Sequence, residues 1–186
     1  MIGELPKSIN LDGTEYAIRT DFRDILTIIS AFNDTELEER EKLFICLFIL
    51  YEDFEDIPKD LYEEAYREAI RFIDCGEEPK EGRHPRVMDW EQDERILFPA
   101  INAVAGREVR SAEYIHWWTF MGYFMEIREG VFSQVLSLRQ KKQKHKKLEK
   151  WEQEFWGSNK DLCVLKPRLS KEEKEERDRL NALLGD

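Results

Sequence analysis

Cysteine and histidine are scarce in this sequence, three of each in 186 residues. Cys46, Cys75 and Cys163 lie far apart, with no C-x-x-C pair and no histidine ladder beside them. That spacing argues against a structural zinc site and points to reduced thiols rather than a disulfide framework. His84, His116 and His145 stand singly, no two at metal-ligand spacing. Missing as well are the phosphate loop G-x-x-x-x-G-K-S/T, the dinucleotide fingerprint G-x-G-x-x-G, the nucleophile elbow G-x-S-x-G and the zinc helix H-E-x-x-H. No catalytic residue, metal or cofactor is therefore expected, and the chain reads as a non-enzyme. No apolar run approaches the roughly 20 residues that a bilayer requires. The first residues, MIGELPKSINLDG, lack a basic stretch followed by an apolar one, so no secretory signal is expected. No repeat of period 20 to 50 is visible.

Charge is plentiful and uneven. The net charge is -11, which disfavours a general nucleic-acid binder, since phosphate attraction needs a positive footprint. Acids crowd residues 36–94, yet residues 139–150 carry seven Lys or Arg against one Glu. The cations at 139, 141, 142, 144, 146, 147 and 150 point around a helix in nearly every direction, the pattern of a solvated connector. An acidic body with a basic segment can bind an acidic partner or a copy of itself, and self-association is left open. The cluster Glu36, Glu38, Glu39 and Glu41 shares no glycine-containing loop of calcium-binding spacing and reads as a solvated helix face.

The apolar pattern is helical nearly throughout and predicts a mainly α fold, a bundle of about six to seven helices with a short N-terminal β-hairpin. Residues 9–18 predict the hairpin about Asp12-Gly13, which either caps the helical body or pairs an edge with another chain. Phe22, Ile25, Leu26, Ile28 and Ile29 make the face of a first helix. Thr35 with Glu38 reads as a capping box opening a second. That helix contains LFICLFILY, apolar on all sides, and is expected to be buried against the central one. Ile57-Pro58 opens a third helix with Leu61, Ala65, Ala69, Phe72 and Ile73 inward, closed near Gly76, and residues 77–88 read as a loop.

The organising stretch is residues 89–127. Asp89 reads as the cap of a helix whose stripe is Ile96, Leu97, Ala100, Ile101 and Val104, with Pro99 expected to kink it or divide it and Gly106 to stop it. Ser111 is the expected cap of a central helix over residues 114–127, apolar nearly all round, with Trp117, Trp118, Phe120 and Phe124 as core. His116 reads as a hydrogen-bonded boundary residue. Val131, Phe132, Val135, Leu136 and Leu138 form the packed start of the next helix. Leu148, Trp151 and Phe155 resume a stripe beyond the basic run. Ser170 with Glu173 predicts a capping box for a short charged helix anchored only by Leu180, Leu183 and Leu184. The expected division is a single domain over 1–159 and a charged tail over 160–186, poorly ordered unless held by a partner.

The blocks DWEQD with its apolar helix, YIHWWTFMGYFMEI, and LRQKKQKHKKLEKWEQEFWGSNKDL resemble the bacteriophage gene-product-fifteen family, with a similar layout over about residues 1–159. The resemblance implies a small helical protein of the tail module of long-tailed phages and prophages, encoded near the tape measure gene. The implied role is tail morphogenesis, most simply as a tail assembly chaperone that keeps the tape measure protein soluble in the host cell cytoplasm. A structural tail component and a nucleic-acid accessory protein using residues 139–150 are the alternatives. No catalytic residues are implied. Trp151, Phe155 and Trp156, beside Lys142 and Lys146, are the candidate partner contacts, because aromatics next to cations make good anchors. The simpler role for the three aromatics is packing on the chain's own core.

Overall fold

The computed structural model describes residues 3–77 and 86–184, the last two by backbone alone. His84 and most of the expected loop over 77–88 fall outside the described residues, as do the side chains of Leu183 and Leu184. Among the described residues the protein is mainly helical, nine α-helices with one two-stranded hairpin. The helix not foreseen is a single turn, α8 (Lys160–Cys163); the tail helix α9 (Lys171–Leu184) is the charged helix predicted after Ser170.

Strands β1 (Ser8–Leu11) and β2 (Thr14–Ala17) pair antiparallel, Ser8 opposite Ala17 and Leu11 opposite Thr14. Asp12 (φ 45°) and Gly13 (φ 84°) are both left-handed, as a two-residue hairpin turn demands. Asn10 Oδ1 accepts the Gly13 N–H at 3.1 Å and fixes the turn. Ile9 and Leu11 are buried, and β1 leans on α3 (Tyr62–Ile73). The hairpin thus caps the helical body, the first of the two expected roles.

Helix α1 (Phe22–Phe32) starts at Asp21, whose carboxylate accepts the Arg23 N–H, and buries Phe22, Ile25 and Ile28. Helix α2 (Glu39–Leu50) begins later than the Thr35-Glu38 pattern predicts. The capping box is Glu38 with Glu41, because Asp34 takes the Glu36 N–H at 2.9 Å and holds that stretch in a turn. The main neighbours of α2 are α1 and α3 rather than the central helix. Its apolar run yields one buried face, Cys46, Leu47 and Leu50, while Phe44 and Phe48 stay 50% and 58% exposed. Composition all round a helix does not bury a side that no element covers. The last carbonyls of α2 are closed from afar: the Arg19 guanidinium donates to Ile49 O and Tyr51 O, both at 2.8 Å.

Helix α4 (Glu94–Ala105) runs unbroken through Pro99, which stands on the exposed side, and ends at Gly106 (φ 68°). The central helix α5 is shorter than expected, Trp117–Met125. Ser111 closes a 3-10 turn instead of capping it. The reason is that the backbone just before α5 is spent on the chain at 20–21. Ile115 N–H goes to the Asp21 carboxylate at 3.0 Å and Trp117 N–H to Thr20 O at 2.7 Å. His116 is the true cap, its Nδ1 accepting the Trp118 N–H at 3.0 Å. The ring proton therefore sits on Nε2, which donates to Pro6 O at 2.8 Å. Replacing His116 by alanine is expected to cost about 1 kcal/mol from the lost cap. His116→Asn is expected to recover part of that, as read by the midpoint of chemical unfolding.

Trp117 and Phe120 are fully buried, Phe120 stacking on Phe22 at 4.4 Å. Trp118 and Phe124 pack on the core while half-buried, Phe124 lying 5.1 Å from Trp90. The indole N–H groups of Trp117 and Trp118 donate to Ile73 O and Phe72 O at 2.8 and 2.9 Å, so α5 satisfies the open end of α3. A second small core joins α6 (Val131–Gln143), α7 (Lys150–Ser158) and α8 through Val135, Leu138, Leu148 and Cys163. Packed structure thus continues past residue 159, where the tail was expected to begin. Helix α9 has the Ser170-Glu173 capping box, with reciprocal bonds of 2.8 and 3.1 Å, and is exposed over residues 171–182. The three cysteines are free, and burial pushes the Cys46 thiol up to about 12.

Candidate partner surface

The cations of residues 139–150 do not share one fate. Arg139 is only 5% exposed and turns inward from α6, so a solvated connector does not describe this residue. Its two terminal nitrogens meet the two oxygens of Asp93 at 2.7 Å each, and its remaining donors reach Val87 O at 2.9 Å, Cys163 O at 3.1 Å and Leu162 O at 2.5 Å. Beside this pair, Arg168 grips the buried Asp89 through Nε and Nη2 at 2.9–3.0 Å and meets Glu91 at 2.7 Å; Arg86 pairs with Asp89 as well. Ser30 and Arg168 together hold the Glu91 carboxyl below the usual carboxylate range. The DWEQD acids therefore do more than begin a helix. Asp89 does cap a turn, accepting Glu91 N–H and Gln92 N–H, but α4 starts only at Glu94. Asp89 and Asp93 anchor α6 and the segment 164–168 to the loop before α4.

Lys141 is withdrawn too. It bonds Glu152, which is buried at the start of α7. That bond and the Glu149 N–H hold the Glu152 carboxyl below its ordinary range. The lysines at 142, 144, 146, 147 and 150 are exposed. Lys142 Nζ sits 5.1 Å over the Trp156 ring, in a shallow groove shared with Lys146, Lys147 and Gln153.

The candidate aromatics divide the same way. Phe155 and Trp156 pack against the second core, as the simpler role required. Trp151 is 56% exposed, and with Val131 at 48% it borders a groove between the start of α6 and α7. Of the five candidate contacts, Trp151, Lys142 and Lys146 remain at the surface. Composition could not separate Trp151 from Trp156, because both lie on one short helix whose covered side is set by α6 and α8.

One exposed feature escaped the sequence reading. Phe44 and Phe48 stack on each other at 6.2 Å and both meet the edge of buried Phe54, at 5.1 and 6.2 Å. The only signal was an apolar run too wide for one buried face. Among the described residues there is no group of three or more metal-ligating side chains, and no helix is long and apolar enough to cross a membrane.

The family model described as Bacteriophage Gp15 protein matches residues 1–164. The chain belongs to the bacteriophage Gp15 family. No curated protein and no solved structure matches it. The span that defines this Gp15 chain holds both cores, the Arg139–Asp93 pair and the Trp151 groove; Arg168 and α9 lie beyond it.

Proposed function

We propose that this Gp15 protein is a non-enzymatic factor of phage tail morphogenesis, a tail assembly chaperone that holds the tape measure protein in solution in the host cytoplasm. Family membership supports the phage setting. The observation that carries a binding role is the Trp151 groove, bordered by an exposed indole and Val131, while the lysines left unburied by the Arg139 and Lys141 pairings line a separate groove with Trp156. A long helical client with apolar stripes presents the surface that such a groove covers, one helix side at a time. The aromatic anchor supplies contact area and the lysines orient acidic positions of the client.

Co-expression with the tape measure protein of the same tail module tests this. The client is expected to stay soluble and co-elute on a sizing column. Trp151→Ala is expected to weaken capture on the order of tenfold in a still-folded protein. A client that precipitates regardless, with this chain eluting alone, would falsify the chaperone reading. Stoichiometric copies in purified virions would favour a structural tail component. Retention on DNA or RNA that is lost at high salt would favour the nucleic-acid reading of residues 139–150.

A further inference from the structure

The phenylalanine shelf on α2 has chemistry the proposed role does not use. Glu41, Phe44 and Phe48 follow one another at three- and four-residue spacing, so they share one side of α2. All three are exposed, and so are Glu52, Asp53, Glu55 and Asp56 in the chain that follows. Beneath the two rings stands Phe54, itself 5.3 Å from Tyr62. The result is an aromatic ledge, held from below and rimmed mostly by carboxylates. An exposed apolar patch with a polar rim is the usual mark of a docking surface. Its complement must be apolar and cationic.

This chain carries such a complement. Between the end of α6 and α7, exposed Lys142, Lys146 and Lys147 line a shallow groove with Leu148 and the half-buried Trp156, the Lys142 ammonium 5.1 Å over the indole ring. The two faces belong to different parts of the molecule, since α2 packs on α1 and α3 while α7 is held by α8. We propose that copies of this protein associate head to tail, the basic Lys142–Lys147 groove of one copy seated on the acid-rimmed Phe44–Phe48 ledge of the next. Such a contact is heterologous: each copy uses one face and keeps the other open, which builds a ring or a filament. The net charge of -11 opposes association at long range. The attraction is local, between opposite charges at contact distance, and is lost as salt screens it.

The test uses the purified full chain alone, so its outcome is independent of the chaperone reading. Sedimentation velocity across a concentration series up to about 100 µM is expected to show reversible association. That association is expected to weaken at least tenfold between about 0.05 M and about 0.5 M salt. Two variants then separate the faces, Phe44→Ser with Phe48→Ser on the ledge and Lys146→Glu with Lys147→Glu on the basic face. All four side chains are exposed, and unchanged circular dichroism and melting check the fold. Each variant alone is expected to be monomeric, and an equal mixture to form a dimer and nothing larger, because one intact ledge then meets one intact basic face. A monomeric wild type at low salt overturns the proposal. So does association that survives either pair of substitutions, which would place the contact elsewhere or make it ledge on ledge, and so does a mixture that stays monomeric.

Discussion

Replacing Arg139 by alanine is expected to destabilise the protein by roughly 3–5 kcal/mol. Asp93 is 2% exposed, and without the guanidinium its carboxylate would be buried with the Asp89 N–H as its remaining short contact. The cost comes mainly from that orphaned charge rather than from the attraction lost. For a chain of this length each kcal/mol moves the melting temperature by roughly 2–4 °C, so a fall of about 10 °C is expected by calorimetry. Arg139→Lys is expected to recover little, because one ammonium cannot serve both Asp93 oxygens together with Val87 O and Cys163 O. Adding Asp93→Asn to Arg139→Ala should return part of the loss by removing the buried charge, while those carbonyls stay without their donors. The damage is also local. Hydrogen exchange is expected to rise first in α8 and in residues 164–168, which Arg139 and Arg168 tie to the loop before α4. A loss below about 1 kcal/mol would mean that the pair is solvated in the native protein.

Trp117→Ala is expected to cost about as much, roughly 3–5 kcal/mol, by a different route. Trp117 is 1% exposed and stacks 5.8 Å from Phe120, with Trp90 at 6.1 Å. Truncation leaves a large cavity where α5 meets the end of α3. Trp117→Phe fills most of it but removes the indole donor from Ile73 O, a loss of about 1–3 kcal/mol. Trp151→Ala, at an exposed ring, should stay within about 0.5 kcal/mol. Urea unfolding of the three variants orders them. If Trp151→Ala proved as costly as Trp117→Ala, Trp151 would be a core residue and unsuited as a client contact.

Helical class, the hairpin turn, the Ser170 cap and the core role of Trp117 and Phe120 were legible because each depends on residues a few positions apart. Asp12-Gly13 prescribes its own backbone, and the inward face of α3 repeats with the helical period. His116 was legible as a hydrogen-bonded boundary, but not as the cap of α5. The start of α5 depends on Thr20 and Asp21, which compete for the N–H groups of residues 115 and 117 from the far side of the fold. Even the helix boundary there is a tertiary fact.

The candidate surface shows the same division. From the sequence by itself follow a helical protein of the Gp15 family, an acidic body, and a segment rich in cations and aromatics. The tertiary structure alone decided which of those groups face solvent. Arg139 meets Asp93 across 46 residues and Arg168 meets Asp89 across 79, so no local pattern marks Arg139 as buried and Arg168 as half-buried while Lys142 and Lys146 stay at the surface. Phe44 and Phe48 sit in a run that reads as core, yet no element among the described residues covers them. Propensity and periodicity act within a few turns of chain, whereas burial and ion pairing are settled by which distant segment arrives at each face.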